Sequence, residues 1–157
     1  MNITIKDIMI TDVLTLDPDD PVEKAVEFMI VHSVRNLPVV DAEGRLLGIF
    51  STYRLLELLL PVAVTVSHGL TDLAFVEDSY EDVRERIKSL QGKRVREVMR
   101  TKGFHSVRPD TPFIEGVLLL HKYRTRLPVV DENGKLVGIA AYKGYLRKIF
   151  DILKEGD

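Results

Sequence analysis

Leu37-Pro-Val-Val-Asp-Ala-Glu-Gly-Arg-Leu-Leu-Gly-Ile49 returns ninety residues later as Leu127-Pro-Val-Val-Asp-Glu-Asn-Gly-Lys-Leu-Val-Gly-Ile139, with nine of thirteen positions identical. Unrelated segments of ordinary composition would share about one. The chain therefore carries an internal duplication: two copies of one unit, joined by a segment that belongs to neither.

Working outward, Pro38 and Pro128 fall near strand starts, where a sheet tolerates a missing N–H. Asp41-Ala-Glu-Gly44 and Asp131-Glu-Asn-Gly134 read as hairpin connections with a glycine for positive φ, and residues 46–50 and 136–140 as returning strands. Upstream, Ile5-Lys-Asp-Ile-Met9 and Val95-Arg-Glu-Val-Met99 open the copies, followed by short β-branched or aromatic stretches, Val13-Leu-Thr-Leu16 and Phe104-His-Ser-Val107. A proline-punctuated turn then starts a helix in each. Asp20 reads as N-cap, Pro21 as the first helical residue and Glu23 as the returning arm of a capping box; Thr111 and Pro112 repeat the cap and proline, with Ile114 in place of the carboxylate. Val22, Ala25, Val26, Met29 and Ile30 make one apolar face, and Phe113, Val117, Leu118 and Leu120 its counterpart. Closing helices are expected at 53–60, stopped by Pro61, and at 142–153.

The order is strand, helix, strand, strand, helix, twice, an α/β (α+β) class. A copy of about 55 residues cannot bury both faces of its sheet alone, so the two should pack on each other. The expected boundaries are 1–60 and 94–157 for the copies and 61–93 for the connecting segment. Residues 61–75 carry no charge except Asp72 and show no period, which fits a buried extended segment or a loop under the core. Asp78-Ser-Tyr-Glu81 then looks like a helix start, with Tyr80, Val83, Ile87 and Leu90 on one stripe and Gly92 as the stop, a docked connector on the surface or at a partner interface.

Composition excludes several classes. At 45% hydrophobic and 29% charged, the chain is a normal globular one. Its longest uncharged apolar run near Pro61, Leu58 to Val66, is nine residues, half of what a membrane span needs. The first residues lack the apolar core of a signal peptide, so a cytoplasmic location is expected. With no cysteine there is no disulfide, thiolate nucleophile or thiolate metal site. His32, His68, His105 and His121 show no metal-ligand spacing, no glycine-rich phosphate loop follows a strand, and Ser51, Ser67 and Ser106 lack a nucleophile-elbow context. Basic residues with few interleaved aromatics argue against nucleic acid. Residues 1–93 hold 9 Lys and Arg against 16 Asp and Glu, whereas 94–157 hold 13 against 8, so the second copy carries the basic excess.

The ordered set Asp7-Ile-Met9, Thr15-x-x-Pro18-x-x-Pro21, Leu37-Pro-Val-Val-Asp41, Gly44 and Gly48-Ile-Phe-Ser51, present again from Glu97 to Ala141, resembles a tandem pair of CBS (cystathionine β-synthase) domains, the Bateman module, here as a stand-alone protein. The resemblance covers nearly the whole chain outside 61–93. It implies a regulatory module rather than an enzyme. The two repeats would meet through their sheets as a pseudo-two-fold disc that dimerises, with clefts for an adenosyl ligand (AMP, ADP, ATP or S-adenosylmethionine) whose occupancy an effector protein reads. It also implies a slot made by residues of the opening strand, Thr15 and Ser106; by those before the Pro-Val-Val strand, Asn36, Leu37, Arg126 and Leu127; and by a Ser/Thr-x-x-Asp motif leading into the last helix.

That last motif departs from the family. Ser51-Thr-Tyr-Arg54 keeps the hydroxyl but ends in arginine, and Ala141-Tyr-Lys-Gly144 keeps neither group. A carboxylate accepts hydrogen bonds from both ribose hydroxyls; arginine only donates, and glycine offers nothing. Two expectations follow. Arg54 and Lys143, beside helix N-termini, hold a phosphate, with His105 as a further candidate contact. Alternatively, they are surface charges beside vestigial clefts in a module for dimerisation or protein interaction.

Overall fold

A computed structural model describes residues 2–61 and 79–156. A 3₁₀ turn at Ile5–Asp7 comes first, then α1 (Val22–His32), β1 (Asn36–Val40), β2 (Leu46–Ser51) and α2 (Thr52–Leu59). After the connecting segment come α3 (Tyr80–Lys88), the short α4 (Val95–Val98), α5 (Phe113–Tyr123), β3 (Leu127–Val130), β4 (Leu136–Ala140) and α6 (Tyr142–Lys154). The stretch 62–75, read above as extended segment or loop, lies outside the described residues.

Each duplicated stretch is a two-stranded hairpin, β1 with β2 and β3 with β4. Both connections turn on glycine at positive φ, Gly44 at 82° and Gly134 at 76°, and on an aspartate that caps the loop: Asp41 and Asp131 each accept from the backbone two and four residues on. The Asp41 carboxyl is held below its usual range chiefly by the Arg45 N–H. The opening strands expected at 13–16 and 104–107 contract to one parallel bridge apiece, Leu16 with Val39 and Val107 with Val129.

The capping box expected on α1 and the Thr111 cap expected on α5 do not form. Pro21 and Pro112 are the N-caps, neither making a side-chain cap bond. Asp20 instead accepts from Asp17 N–H and the Lys24 ammonium, Glu23 from Gly92 N–H, and Thr111 from Arg108 N–H. The proline places helical geometry one residue later, so Asp20 and Thr111 close the preceding turns while Glu23 reaches across to Gly92. A capping box does appear on α3, between Ser79 and Asp82. Along α3, Tyr80 stays exposed while Arg86 Nε donates to the Leu59 carbonyl at 2.8 Å, tying the connector to α2.

The chain forms two compact units, and neither is a contiguous copy. One contains Met1–Thr15, Val40–Leu47 and Lys102–Asp157; the other contains Leu16–Val39 and Gly48–Thr101. In the first, Ile5 and Ile8 are buried with Val107, Leu120, Leu127, Val129, Ala140 and Tyr145. In the second, Val95 and Val98 are buried with Leu16, Val22, Ala25, Leu37, Val39 and Phe50. Each opening turn thus belongs to the core built by the other copy's hairpin, held there by backbone bonds: Ile5 N–H to Thr111 O, Ile10 N–H to Ile139 O, Val95 N–H to Asp20 O and Arg100 N–H to Ile49 O. Glycine permits the close approach. A Cβ on Gly48 would come within 2.6 Å of the Arg100 carbonyl, and one on Gly138 within 2.9 Å of the Ile10 carbonyl.

Candidate functional site

The site residues expected from the sequence fall into separate groups. In the unit holding α2, Leu37 is buried and Asn36, Ser51 and Arg54 are half-buried. Thr52 N–H donates to the Arg35 carbonyl at 2.8 Å, drawing the start of α2 to the residue before Asn36. The Ser51 hydroxyl is the N-cap of α2, accepting from Arg54 N–H at 3.1 Å, which is why a hydroxyl residue suits that place. The Arg54 guanidinium turns away from the cap: Nη1 meets Glu57 Oε1 at 3.1 Å and Nε donates to the Val98 carbonyl at 3.4 Å. Arg100 approaches the other Glu57 oxygen at 3.7 Å. Thr15 is exposed, one residue ahead of Leu16, whose N–H donates to the Pro38 carbonyl at 2.9 Å.

In the other unit, Val107 N–H donates to Pro128 O and Val107 O accepts from Val130 N–H, both at 2.9 Å, which seats the segment carrying Ser106 alongside the start of β3. His105 stacks on Tyr123, ring centroids 3.7 Å apart and planes 21° from parallel. Leu127 is fully buried, and Arg126 is half-buried with no hydrogen bond or ion pair among the described residues. Burial lowers the Arg126 pKa, the cost of a cation held away from water.

Lys143 belongs to a third grouping. It lines a cleft of about 400 Å³ formed by segment 7–12 and by Gly144, Arg147, Lys148 and Asp151. His105, Ser106, Arg126 and Leu127 do not line that cleft. Gly144 is there by steric necessity, since a Cβ at this position would collide with the Ile8 carbonyl. Arg54, at the equivalent place in the repeat, meets the equivalent carbonyl, Val98, with its guanidinium. At both positions where the family pattern has an aspartate, the neighbour is a main-chain oxygen, which repels a carboxylate and accepts from an arginine.

Sequence reading passed over Arg147, Lys148 and Glu57. The signal was present in the ninety-residue offset that equates Glu57 with Arg147. Among the described residues no group of His, Asp or Glu is arranged to hold a metal, and no helix is long and apolar enough to cross a membrane.

The fold is that of a CBS pair: the CBS domain family matches residues 5–61 and again 95–151. The chain belongs to that family. It is 31% identical to the CBS domain-containing protein CBSX1, chloroplastic, of Arabidopsis thaliana, over 93% of this chain and 63% of that protein. It is also 31% identical to an inosine-5'-monophosphate dehydrogenase of Methanocaldococcus jannaschii, over 90% of this chain but only 23% of the dehydrogenase. The chain thus spans less than two thirds of these relatives. Among solved structures, CBSX2 of Arabidopsis thaliana superposes with a TM-score of 0.73 at 28% identity, covering 99% of this chain and 100% of that one. The complex of CBSX2 with AMP superposes at 0.70 with 27% identity, covering 96% and 98%.

Proposed function

We propose that this chain is a regulatory module that binds an adenosyl ligand and whose bound and empty states are read by a separate effector protein. The observation that carries the reading is the cleft of about 400 Å³ where Lys143, Arg147 and Lys148 stand without ion-pair partners among the described residues. These cations, on a concavity that Asp7, Asp12 and Asp151 also line, offer charged donors to a phosphate-bearing ligand. That CBSX2 is known in complex with AMP supports an adenosine phosphate as the ligand. AMP, ADP, ATP and S-adenosylmethionine are the candidates, and Arg126, half-buried with no counter-ion among the described residues, is a second contact for an anionic group. Repeats at 1–60 and 94–157 and the segment 61–93 act together as one Bateman module, cytoplasmic and homodimeric.

Thermal denaturation with each ligand tests this. A ligand at a hundred times its Kd stabilises the folded state by about 2.7 kcal/mol, so one of the four should raise Tm by several degrees. No rise with any of them sinks the reading.

A second reading, a protein-interaction module without ligand, has its own observation. Along α6, Leu146, Ile149, Phe150 and Leu153 are 63%, 50%, 58% and 76% exposed on one stripe. Such a face wants a partner helix.

A further inference from the structure

The stacking of His105 on Tyr123 joins two stretches of the second copy, 101–109 and 121–130, and Lys122 Nζ stands over the same ring at 5.3 Å from its centroid. Together these stretches hold five Lys and Arg and no Asp or Glu. The carboxylates nearest along the chain lie beyond them. Asp131 follows the far end of β3, about 16 Å from Arg126 at the rise of a strand, and Asp110 runs past the Val107 bridge toward that same end. Glu115 is nearly two turns of α5, about 10 Å, from Lys122. Lys102, His105, His121, Lys122 and Arg124 are exposed, and none of them has an ion pair among the described residues.

The fold does not require this charge. The matching stretches of the first copy, 10–18 and 30–40, hold one arginine against two aspartates and make the same local structure. Leu16 bridges Val39 as Val107 bridges Val129, and Ser33 ends α1 at φ 52° as Arg124 ends α5 at φ 53°. Where the second copy has His121 and Lys122, the first has Ile30 and Val31, 73% and 69% exposed. The dipole of α5 favours a cation in its last turn, which accounts for one of those two but for neither Lys102 nor Arg124. Arginine is moreover an uncommon choice at a left-handed position, where glycine or asparagine is usual.

We propose that this patch is a docking surface for an acidic segment of a partner protein, with Lys102, Lys122 and Arg124 as its charged anchors. Phe104 and Tyr123 are half-buried, and Tyr123 already carries His105 and Lys122, whereas nucleic-acid grooves present open aromatic faces to successive bases. Charge without stacking surface fits a run of Asp and Glu. The inference deepens the reading above by giving the chemistry of its effector, and rests on it for the effector itself.

Fluorescence anisotropy of a labelled oligoglutamate peptide, titrated with the full chain in the absence of nucleotide, tests it, with each variant's Tm as the check on folding. Wild type should bind, and more weakly as salt rises. Lys122→Glu with Arg124→Glu should weaken binding tenfold or more. Arg84→Glu with Lys88→Glu, an equal change of charge at exposed positions on α3, should weaken it less than twofold. Arg124→Gly should weaken binding with no loss of Tm, because glycine accepts the left-handed conformation. No binding by wild type, or equal losses from the two charge reversals, would overturn the inference while leaving the nucleotide reading in place. Tighter binding of an oligothymidylate of equal charge, lost in the same patch variant, would overturn the acidic partner in favour of nucleic acid. A chain that binds no adenosyl compound yet shows the tenfold loss ends the nucleotide reading and keeps the surface for a protein-interaction module.

Discussion

The Ile8 carbonyl lies where a side chain on Gly144 would have to stand. Ile8 belongs to the opening turn and Gly144 to the first turn of α6, so this contact fixes the floor of the cleft. The Val98 carbonyl and Arg54 make the equivalent contact with a hydrogen bond in place of a gap.

Gly144→Ala should therefore destabilise the protein although the residue is helical and alanine is the better helix former. The obstacle is main chain, which cannot rotate away, and overpacking of this kind costs about 1–3 kcal/mol. Urea denaturation measures it. Gly144→Asp should be worse, and restoring the family's carboxylate should not improve affinity for a ribonucleoside. A variant as stable as wild type would show that the opening turn can back off.

Ile5→Ala removes a fully buried side chain from the core around β3 and β4, despite its position at the start of the chain. Large-to-small changes at such sites cost about 2–5 kcal/mol. Hydrogen exchange should report lost protection at Leu127–Val130 and Leu136–Ala140. Loss confined to the β1–β2 hairpin would contradict the assignment of Ile5 to this core.

Leu146→Glu with Phe150→Glu tests the exposed stripe on α6. Both residues face solvent in the single chain, so Tm measured at low protein concentration should stay within about a degree. If the stripe is the homodimer interface, sedimentation should show the wild-type dimer shifting to monomer. A wild type that sediments as a monomer, or a double variant that stays dimeric, removes α6 from that role.

Asp19 makes a prediction about acid. Its carboxylate accepts from Arg96 Nε at 2.9 Å and Arg94 Nη1 at 3.3 Å, and these, Arg96 first, hold its pKa below the ordinary carboxylate value. The folded value is the lower one, so the stabilisation is complete above the unfolded pKa and disappears as pH falls through the folded pKa. Asp19→Asn should therefore lower Tm near neutral pH and match wild type at about pH 2. Added salt should shrink the difference, since the cluster is exposed. An Asn variant equally stable at neutral pH would show that the cluster contributes nothing measurable.

What the sequence disclosed follows from which forces are local. The hairpins were legible because Pro38, Gly44 and their counterparts act within a few residues through φ and hydrogen-bond chemistry. Helix positions were legible from apolar spacing. The α1 capping box and the Thr111 cap failed because Pro21 and Pro112 shift the helix start by a residue, a difference that periodicity cannot resolve. The parallel bridge at Val107 sets the segment carrying Ser106 alongside the start of β3. The placement of Arg54 was not legible: its partners are Glu57, one turn on, and Val98, forty-four residues away. Arg147 was hidden for a similar reason, since the segment that forms the opposite wall of its cleft, 7–12, comes from the other end of the chain.

The opening turns carry a last implication. Ile5 and Ile8 complete the interior that holds β3 and β4, and Val95 and Val98 complete the one that holds β1. Neither repeat, severed from the other, encodes a finished interior; each carries the plug for its sibling's socket. A lone repeat would have to borrow that plug from another molecule, so the heritable unit of this architecture is the couple.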